Sequence, residues 1–170
     1  NANVATVDNG VVTGVAIGTA RITAQAGGVK ATCTVEVEPN YVTVNTTAKS
    51  TTAGLLDELA IADLKNITAL RVMGTINSYD IIVLNNKMPN LHYLDLTDAR
   101  IVACDYEYRS DCRTEDDVVG DYMFSEQAKY YTIKLPKTTK AIGYSAFDGC
   151  SNLTDFEIPN GITSIEGIVF

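Results

Sequence analysis

The chain has 170 residues, of which 46% are hydrophobic and 20% are charged, and its net charge is -8. This composition is ordinary for a soluble globular protein with room for one domain or two small ones. No segment reaches about 18 uninterrupted apolar residues, which argues against a membrane span, and the acidic balance argues against nucleic acid as a partner. The start, NANVATVDNG, lacks the basic and apolar regions of a signal peptide.

Residues 1–38 predict β structure. Val and Thr predominate, turn signals occur at residues 8–10 and at Gly27-Gly28, and apolar residues alternate with polar ones over residues 33–37. The stretch VATVDNGVVTGVAIGTARITAQAGGVKATCTVEV resembles the C-terminal half of a bacterial Ig-like domain of group 2. The resemblance implies a partial all-β sandwich, since a complete one takes roughly 100 residues. We therefore expect unpaired sheet edges here, and further strands upstream in the natural protein.

Two segments lead from this region to the rest of the chain. Residues 39–52 are rich in Thr and predict an extended linker. Residues 53–65, AGLLDELAIADLK, are good helix formers with an apolar stripe. They predict a helical cap, because the terminal unit of a repeat protein would otherwise leave its core exposed. A partner-binding amphipathic helix is the alternative.

Residues 53–170 are dominated by a recurring apolar triplet of the form L-x-x-L-x-L. The triplet starts at Ile67, Leu91, Tyr130 and Leu153, and the long interval between the second and third starts indicates an insertion within residues 98–117. A period of about 20–29 with this triplet is typical of leucine-rich repeats. Each L-x-L predicts a short strand with its apolar pair facing inward, and successive strands are expected to stack in parallel around one core.

The tail repeats other features at a constant offset. Leu135-Pro136 returns as Ile158-Pro159, and Phe147 returns as Phe170. The spacing of Phe147, Cys150 and Leu153 predicts a helical turn packed on the core, with Cys150 as a small core residue rather than a reactive thiol.

The stretch AFDGCSNLTDFEIPNGITSI resembles the leucine-rich repeats of bacterial BspA-like surface proteins. Residues 145–170 fit that pattern closely, and residues 118–140 fit it loosely, with Gln127 in place of the Cys. The resemblance implies a leucine-rich-repeat solenoid. The last residue, Phe170, occupies the position in its repeat that Phe147 occupies in the preceding one. We therefore expect the last repeat to be truncated and the parent protein to continue.

Catalytic motifs are scarce. His92 is the only histidine, it lies inside a repeat triplet, and its predicted role is that of a partly exposed strand-edge residue. No G-x-S-x-G motif and no P-loop are present. The cysteines lack metal-ligand spacing, and nothing singles out a pair among the 21 acidic residues. The sequence therefore predicts a protein that is not an enzyme and that has no cofactor and no metal site.

The repeat register predicts two columns of side chains on the outer face of the sheet. Residues between the two apolar positions of each strand should lie side by side, about 4.8 Å apart. One column then carries charges of alternating sign, which favours neutral or protein ligands over highly charged polymers. The charged column is Arg71, Asp95, Lys134 and Glu157, and the parallel column is Ala69, Tyr93, Thr132 and Asp155. The ligand-binding candidates are Tyr93, Asp95, Thr132, Lys134, Asp155 and Glu157, with Tyr93 exposed.

The insertion, DARIVACDYEYRSDCRTEDD, is the second candidate site, because loops on rigid scaffolds often carry function. Tyr106, Tyr108 and Arg109 are its predicted contact residues. Cys104 and Cys112 predict either a local disulfide, which needs an oxidising compartment, or two free thiols. A calcium loop and a plain solvated acidic loop are the alternatives, although EF-hand spacing is absent.

Both resemblances imply a surface-exposed or secreted bacterial protein, on the exterior of the outer membrane. The first hypothesis is an adhesion module that binds a host extracellular protein, mucin or glycan. The second is a structural stalk or scaffold, and the third is an accessory region of a larger enzyme. The sequence predicts neither the ligand nor the oligomeric state.

Overall fold

The structure is a computed structural model that describes residues 1–167 and 169–170, and the chain divides into two units, Asn1–Asn40 and Tyr41–Phe170. The first unit contains two antiparallel hairpins. Strand β1 (Ala5–Asp8) pairs with β2 (Val11–Gly14), and β3 (Gly18–Ala26) pairs with β4 (Val29–Val37). The central residues of both turns have positive φ, 48° and 81° at Asn9-Gly10 and 54° and 83° at Gly27-Gly28. Two-residue hairpins of this kind favour Asn-Gly and Gly-Gly, so both predicted turns are confirmed.

The hairpins of the first unit bury little apolar surface. Ala5 and Ala20 are its buried hydrophobic residues, whereas Val11 is 64% exposed and Val29 is 73% exposed. The four strands form two separate two-stranded sheets with unpaired edges. Residues 1–40 thus do not close a sandwich, in line with the short length of the segment, and the Ig-like assignment of residues 1–38 remains a prediction.

The second unit is built from parallel strands. Its two sheets have the strand orders β13-β11-β7-β6-β5 and β10-β12-β14, and a small antiparallel hairpin, β8-β9, stands apart from them. In chain order the elements are β5 (Val42–Thr46), α1 (Leu55–Glu58), β6 (Ala69–Ile76), α2 (Ser78–Asn86), β7 (Tyr93–Ile101), β8 (Glu107–Arg109), β9 (Cys112–Arg113), β10 (Val118–Val119), β11 (Thr132–Lys134), β12 (Ala141–Ile142), β13 (Asp155–Glu157) and β14 (Ser164–Ile165).

The core of this unit follows the predicted triplets. Its first three triplets are buried, and their β-strand side chains pack with Ile81 and Leu84 of α2. Phe124 and Phe147 stack at 5.6 Å between ring centroids, and Phe147 and Phe170 stack at the same distance. Cys150 is buried, and its thiol donates to the carbonyl of Phe124, which confirms its predicted core position. Residues 145–150 form hydrogen-bonded turns rather than a helix.

The backbone itself repeats in step with the sequence. Tyr122 and Ser145, at equivalent positions of successive repeats, both have positive φ, at 54° and 48°. Glu126 and Gly149 are equivalent in the same way and have φ of 62° and 74°. Left-handed backbone is uncommon outside glycine, so its recurrence at equivalent positions shows that residues 118–150 repeat as a conformation as well as a sequence.

Two predictions about the entry to this unit need correction. Val42–Thr46, placed in a linker, forms β5 and pairs in parallel with β6, because Val42 and Val44 alternate with polar residues as a strand requires. The predicted cap over residues 53–65 has one α-helical turn, Leu55–Glu58, and one 3-10 turn, Leu64–Asn66. The insertion, predicted to lie within residues 98–117, leaves the sheet after Ile101, where β7 ends, and is consistent with that prediction.

The helix α2 is an element that sequence analysis missed. Asn77 caps it, with a reciprocal capping box to Asp80. At its other end, the ammonium of Lys129 donates to the carbonyls of Leu84, Asn85 and Met88. Both helix ends are therefore satisfied by side chains, and α2 is a fixed surface on which the insertion rests.

Candidate functional site: the outer sheet face and the insertion

The outer face of the five-stranded sheet carries both predicted columns. Arg71 pairs in register with Asp95, Asp95 with Lys134, and Lys134 with Glu157. The parallel column has the same order, from Ala69 through Tyr93 and Thr132 to Asp155. The predicted register is confirmed, because residues paired across neighbouring parallel strands point to the same face of the sheet.

An ion pair lies at the centre of this face. The Nε of Arg71 donates to Oδ2 of Asp95 at 2.9 Å, and the Arg71 guanidinium lies 4.6 Å from the centroid of the Tyr41 ring. Asp95 is only 4% exposed, and its Oδ1 accepts the backbone N–H of Thr97 at 3.0 Å. This carboxylate is thus fully engaged within the protein, which leaves Lys134 and Glu157 as the more accessible charges of the column.

A group of aromatic side chains borders the columns. Tyr131 stacks on His92 at 4.7 Å and meets Tyr93 edge-on at 5.9 Å. Tyr131 is 39% exposed, whereas Tyr93, predicted to be exposed, is half-buried because Tyr131 covers part of its ring. Sequence analysis missed Tyr131, although it follows the start of its triplet directly, as His92 follows the start of the preceding one.

A cleft of about 420 Å³ lies where β11 and β13 end. Lys134, Glu157 and Thr97 line it from the sheet, and Lys137 and Pro159 line it from the following loops. Lys137 also pairs with Asp98 at 2.9 Å. Two predicted residues, Lys134 and Glu157, therefore line a cleft whose volume is within the range of about 300–1,000 Å³ that ligand sites occupy.

The insertion packs on α2 and not on the columns. The hydroxyl of Thr114 accepts the backbone N–H of Ser78 at 3.1 Å, and the Thr114 N–H donates to the Ser78 hydroxyl at 3.0 Å. Thr114 is buried, so these bonds anchor the insertion at the start of α2. The loop residues and the sheet residues therefore belong to two different surfaces, which the sequence could not separate.

The three predicted contact residues of the insertion have different surroundings. Tyr106 is 49% exposed and stacks on Tyr79. Tyr108 is half-buried, and its hydroxyl donates to the carbonyl of Asp121 at 2.7 Å. Burial raises the pKa of Tyr108, which keeps this donor protonated. Arg109 lies over the Tyr122 ring at 4.8 Å. Tyr106 alone of the three has a ring that is largely accessible to a ligand.

All four cysteines are free in this structure, and a disulfide between Cys104 and Cys112 stays a prediction. The backbone N–H of Cys104 donates to the carbonyl of Thr114, and Cys112 pairs across the β8-β9 hairpin with Arg109. The backbone contacts thus place Cys104 opposite Thr114 rather than opposite Cys112. Hydrogen bonds between Thr114 and Ser78 fix the insertion on α2.

Within residues 1–167 and 169–170, no cluster of three or more His, Cys, Asp or Glu side chains is arranged to hold a metal ion. No helix in the same residues is long and apolar enough to cross a membrane. The one histidine, His92, is half-buried, and its Nδ1 forms a hydrogen bond with the carbonyl of Lys129 at 2.7 Å.

The ion pair predicts a stability that depends on pH. Burial raises the pKa of Asp95, but hydrogen bonds from Thr97 and Arg71 outweigh it, so the pKa lies below its ordinary value of 3.8. The ionised Asp95 carboxylate therefore stabilises the fold at pH values above the pKa that Asp95 has in the unfolded chain. This stabilisation is lost as the pH falls through the lower pKa that Asp95 has in the folded chain. In urea unfolding, the stability difference between wild type and Asp95→Asn should shrink between pH 5 and pH 2.

Asp98→Asn is the matched control, because its ion pair with Lys137 is exposed and exposed pairs contribute about 0–1 kcal/mol. We expect this variant to differ little from wild type at either pH. A difference between wild type and Asp95→Asn that stays constant down to pH 2 would contradict the lowered pKa.

Taken together, the fold and its surfaces define a class: a protein with regularly repeated parallel strands, compatible with leucine-rich repeats, and with a polar outer sheet face. Residues 117–170, about a third of the chain, match the family model of the BspA type leucine rich repeat region (6 copies). No curated protein matches the chain. The resemblance to BspA-like repeats is thus supported for this segment, and the match does not reach residues 1–38.

The matched family indicates a general role and location, but no specific ligand. Repeat proteins of this kind are typically non-catalytic, and their repeats suggest a surface for protein–protein interaction. Proteins with BspA-type repeats are typically bacterial surface or secreted proteins.

Proposed function

We propose that this chain is a non-catalytic binding module of a bacterial surface or secreted protein, and that its outer sheet face adheres to a host extracellular protein, mucin or glycan. The observation that carries the proposal is the continuity of the charged column with the cleft of about 420 Å³ at its end. Lys134 and Glu157 belong to both features and are its central contact residues.

The charge distribution of the face favours a protein ligand. Arg71 and Asp95 neutralise one another, and Lys134 lies in register between Asp95 and Glu157. A face of alternating sign creates no strong field of one sign, so it attracts polyanions weakly. Such a pattern favours a partner with complementary alternating charges, because electrostatic complementarity sets the register and specificity of protein interfaces.

The aromatic group supports the same proposal. Tyr131 and Tyr93 lie beside the charged column and Tyr131 is exposed. Tyrosine is enriched at protein interfaces because its ring supplies contact area and its hydroxyl supplies a hydrogen bond. We assign the exposed Asp155 to the polar rim of this contact surface. Thr132, in register between Tyr93 and Asp155, is buried and supports the face from within the sheet.

A structural stalk, or an accessory region of a larger enzyme, is the alternative. The in-register sheets favour it to some degree, because they make a stiff scaffold whether or not the face binds anything.

The test is a screen of the whole chain against immobilised extracellular matrix proteins, mucins and glycans. For each ligand found, Lys134→Glu should weaken binding at least about tenfold, since a charge at the centre of an interface discriminates strongly. Lys134→Glu combined with Glu157→Lys restores the net charge of the column and the pair of opposite charges between β11 and β13. It also reverses the order of charges that the ligand meets, so its binding should stay weak.

Lys30→Glu is the matched control, because Lys30 is exposed on β4 of the first unit. It makes the same change of net charge and should leave binding unchanged. A screen that yields no ligand, or ligands that bind all variants equally, would favour the stalk alternative over a binding role for this face.

A further inference from the structure

We propose that a second cleft, formed by α2 and the insertion, binds one ring of a neutral carbohydrate. The cleft has a volume of about 510 Å³, inside the range of small-molecule sites. Tyr79 from the first turn of α2, Cys104 to Tyr106 from the insertion, and Lys49 and Ser50 from the segment after β5 line it. This site is separate from the sheet face and does not depend on the function proposed for that face.

The walls of the cleft are preorganised by hydrogen bonds. The side-chain amide of Asn77 donates to the carbonyl of Lys49 at 2.7 Å, which ties the segment after β5 to the start of α2. The backbone N–H of Cys104 donates to the carbonyl of Thr114 at 3.0 Å, and Thr114 is anchored on α2. A ligand therefore meets a formed site, so little of its binding energy is lost in ordering the loops.

An aromatic face forms the floor for a sugar ring. The rings of Tyr79 and Tyr106 are stacked, with centroids 4.3 Å apart and planes 15° from parallel. Tyr79 covers one face of the Tyr106 ring, and because Tyr106 is still 49% exposed, its other face is open. The C–H face of a pyranose ring is flat and apolar, and it packs on such a surface through dispersion contacts.

The charges around the cleft select a neutral ligand. The ammonium of Lys49 is paired with the carboxylate of Asp57. Asp105 is exposed, and none of the ion pairs of residues 1–167 and 169–170 includes it. An ionised carboxylate accepts hydrogen bonds and donates none, so Asp105 suits two neighbouring sugar hydroxyls and repels acidic sugars. The Ser50 hydroxyl supplies a group that both donates and accepts.

The experiment uses the whole chain and the methyl glycosides of glucose, galactose, mannose and N-acetylglucosamine as probes, with N-acetylneuraminic acid as the acidic comparison. Saturation-transfer and amide chemical-shift NMR should show binding of at least one neutral glycoside, with shifts centred on Tyr79 and Tyr106. Tyr106→Ala should weaken that binding at least about tenfold, in keeping with the loss of an aromatic stacking partner. Tyr106→Phe, which keeps the ring, should stay within about threefold of wild type.

Tyr144→Ala is the matched control, because Tyr144 is 39% exposed and does not line this cleft. It should leave glycoside binding unchanged, as should Lys134→Glu on the sheet face, so the two proposed sites can fail independently. The proposal is overturned if no neutral glycoside binds, if Tyr106→Ala binds as tightly as wild type, or if N-acetylneuraminic acid binds better than the neutral sugars. Chemical-shift changes at Tyr106 on addition of peptides, without any on addition of glycosides, would also overturn the proposal, because they would show that the cleft binds protein.

Discussion

Phe147→Ala is expected to lower the free energy of unfolding of the second unit by about 3–5 kcal/mol. The Phe147 ring is 1% exposed and lies between the rings of Phe124 and Phe170, each 5.6 Å away. Phe156 packs edge-on against it at 4.8 Å. Truncation removes a buried ring from the middle of this stack, and the neighbouring repeats cannot both close on the cavity because their strands are held in register. Urea unfolding monitored by circular dichroism measures the loss.

Phe170→Ala is the control, since it is the same substitution at the equivalent position of the next repeat. Phe170 is 60% exposed, so its truncation should cost roughly 1 kcal/mol or less, the effect of removing a partly exposed ring. If both variants lowered the free energy of unfolding by the same amount, the difference in burial between Phe147 and Phe170 would be contradicted.

Asp80→Ala is expected to lower the free energy of unfolding by about 2–4 kcal/mol. Asp80 is fully buried, and its two carboxylate oxygens accept the backbone N–H groups of Leu55 at 2.9 Å and Asn77 at 3.0 Å. The first bond holds the short α1 helix, and the second completes the capping box of α2. Burial raises the pKa of Asp80 in spite of these donors, so removal of the carboxylate also relieves some desolvation and limits the loss.

Asp57→Ala provides the comparison for this prediction. Asp57 lies in α1 and its carboxylate pairs with Lys49 at an exposed site, where an ion pair contributes about 0–1 kcal/mol. Thermal and urea unfolding of the two variants should therefore differ clearly. An Asp80→Ala variant as stable as Asp57→Ala would mean that α1 and α2 do not depend on this buried carboxylate.

The sheet register was predictable because it follows from spacing alone. Once Ile67, Leu91, Tyr130 and Leu153 are aligned, the alternation of a strand assigns Asp95 and Lys134 to the outer face. What spacing does not predict is how deeply a side chain is covered. Asp95 is buried because Arg71, on the neighbouring strand β6, lies over it. Tyr93 is half-buried because Tyr131, just before β11, covers part of its ring.

Helix α2 and strand β5 were missed for local reasons. The sequence SYDIIVLNN contains β-branched residues at 81–83, which lowers its helix propensity. The signal that favours a helix is the capping box formed by Asn77 and Asp80. Strand β5 has only two apolar positions among polar residues, and its partner β6 follows only after α1 in the chain, so no local pattern distinguishes it from an extended connector.

The second site could not be predicted in full for a different reason. Tyr79 and Tyr106 are far apart in the sequence and do not occupy equivalent positions of the repeat, and they meet because Thr114 fixes the insertion on α2. Sequence analysis singled out Tyr106 from the composition of the loop, but it had no basis for choosing Tyr79 as its partner. Tertiary hydrogen bonds of the insertion decide that contact.

The way the insertion leaves and rejoins the sheet has a consequence for how this protein can evolve. Its two ends are joined by a hydrogen bond from the backbone N–H of Asp117 to the carbonyl of Ile101 at 3.0 Å. A segment closed at its base can gain, lose or exchange residues at its tip without moving the strands on either side, because longer loops add little closure entropy. Substitutions can thus accumulate at Tyr106 and its neighbours while the aromatic stack and the parallel register are inherited unchanged.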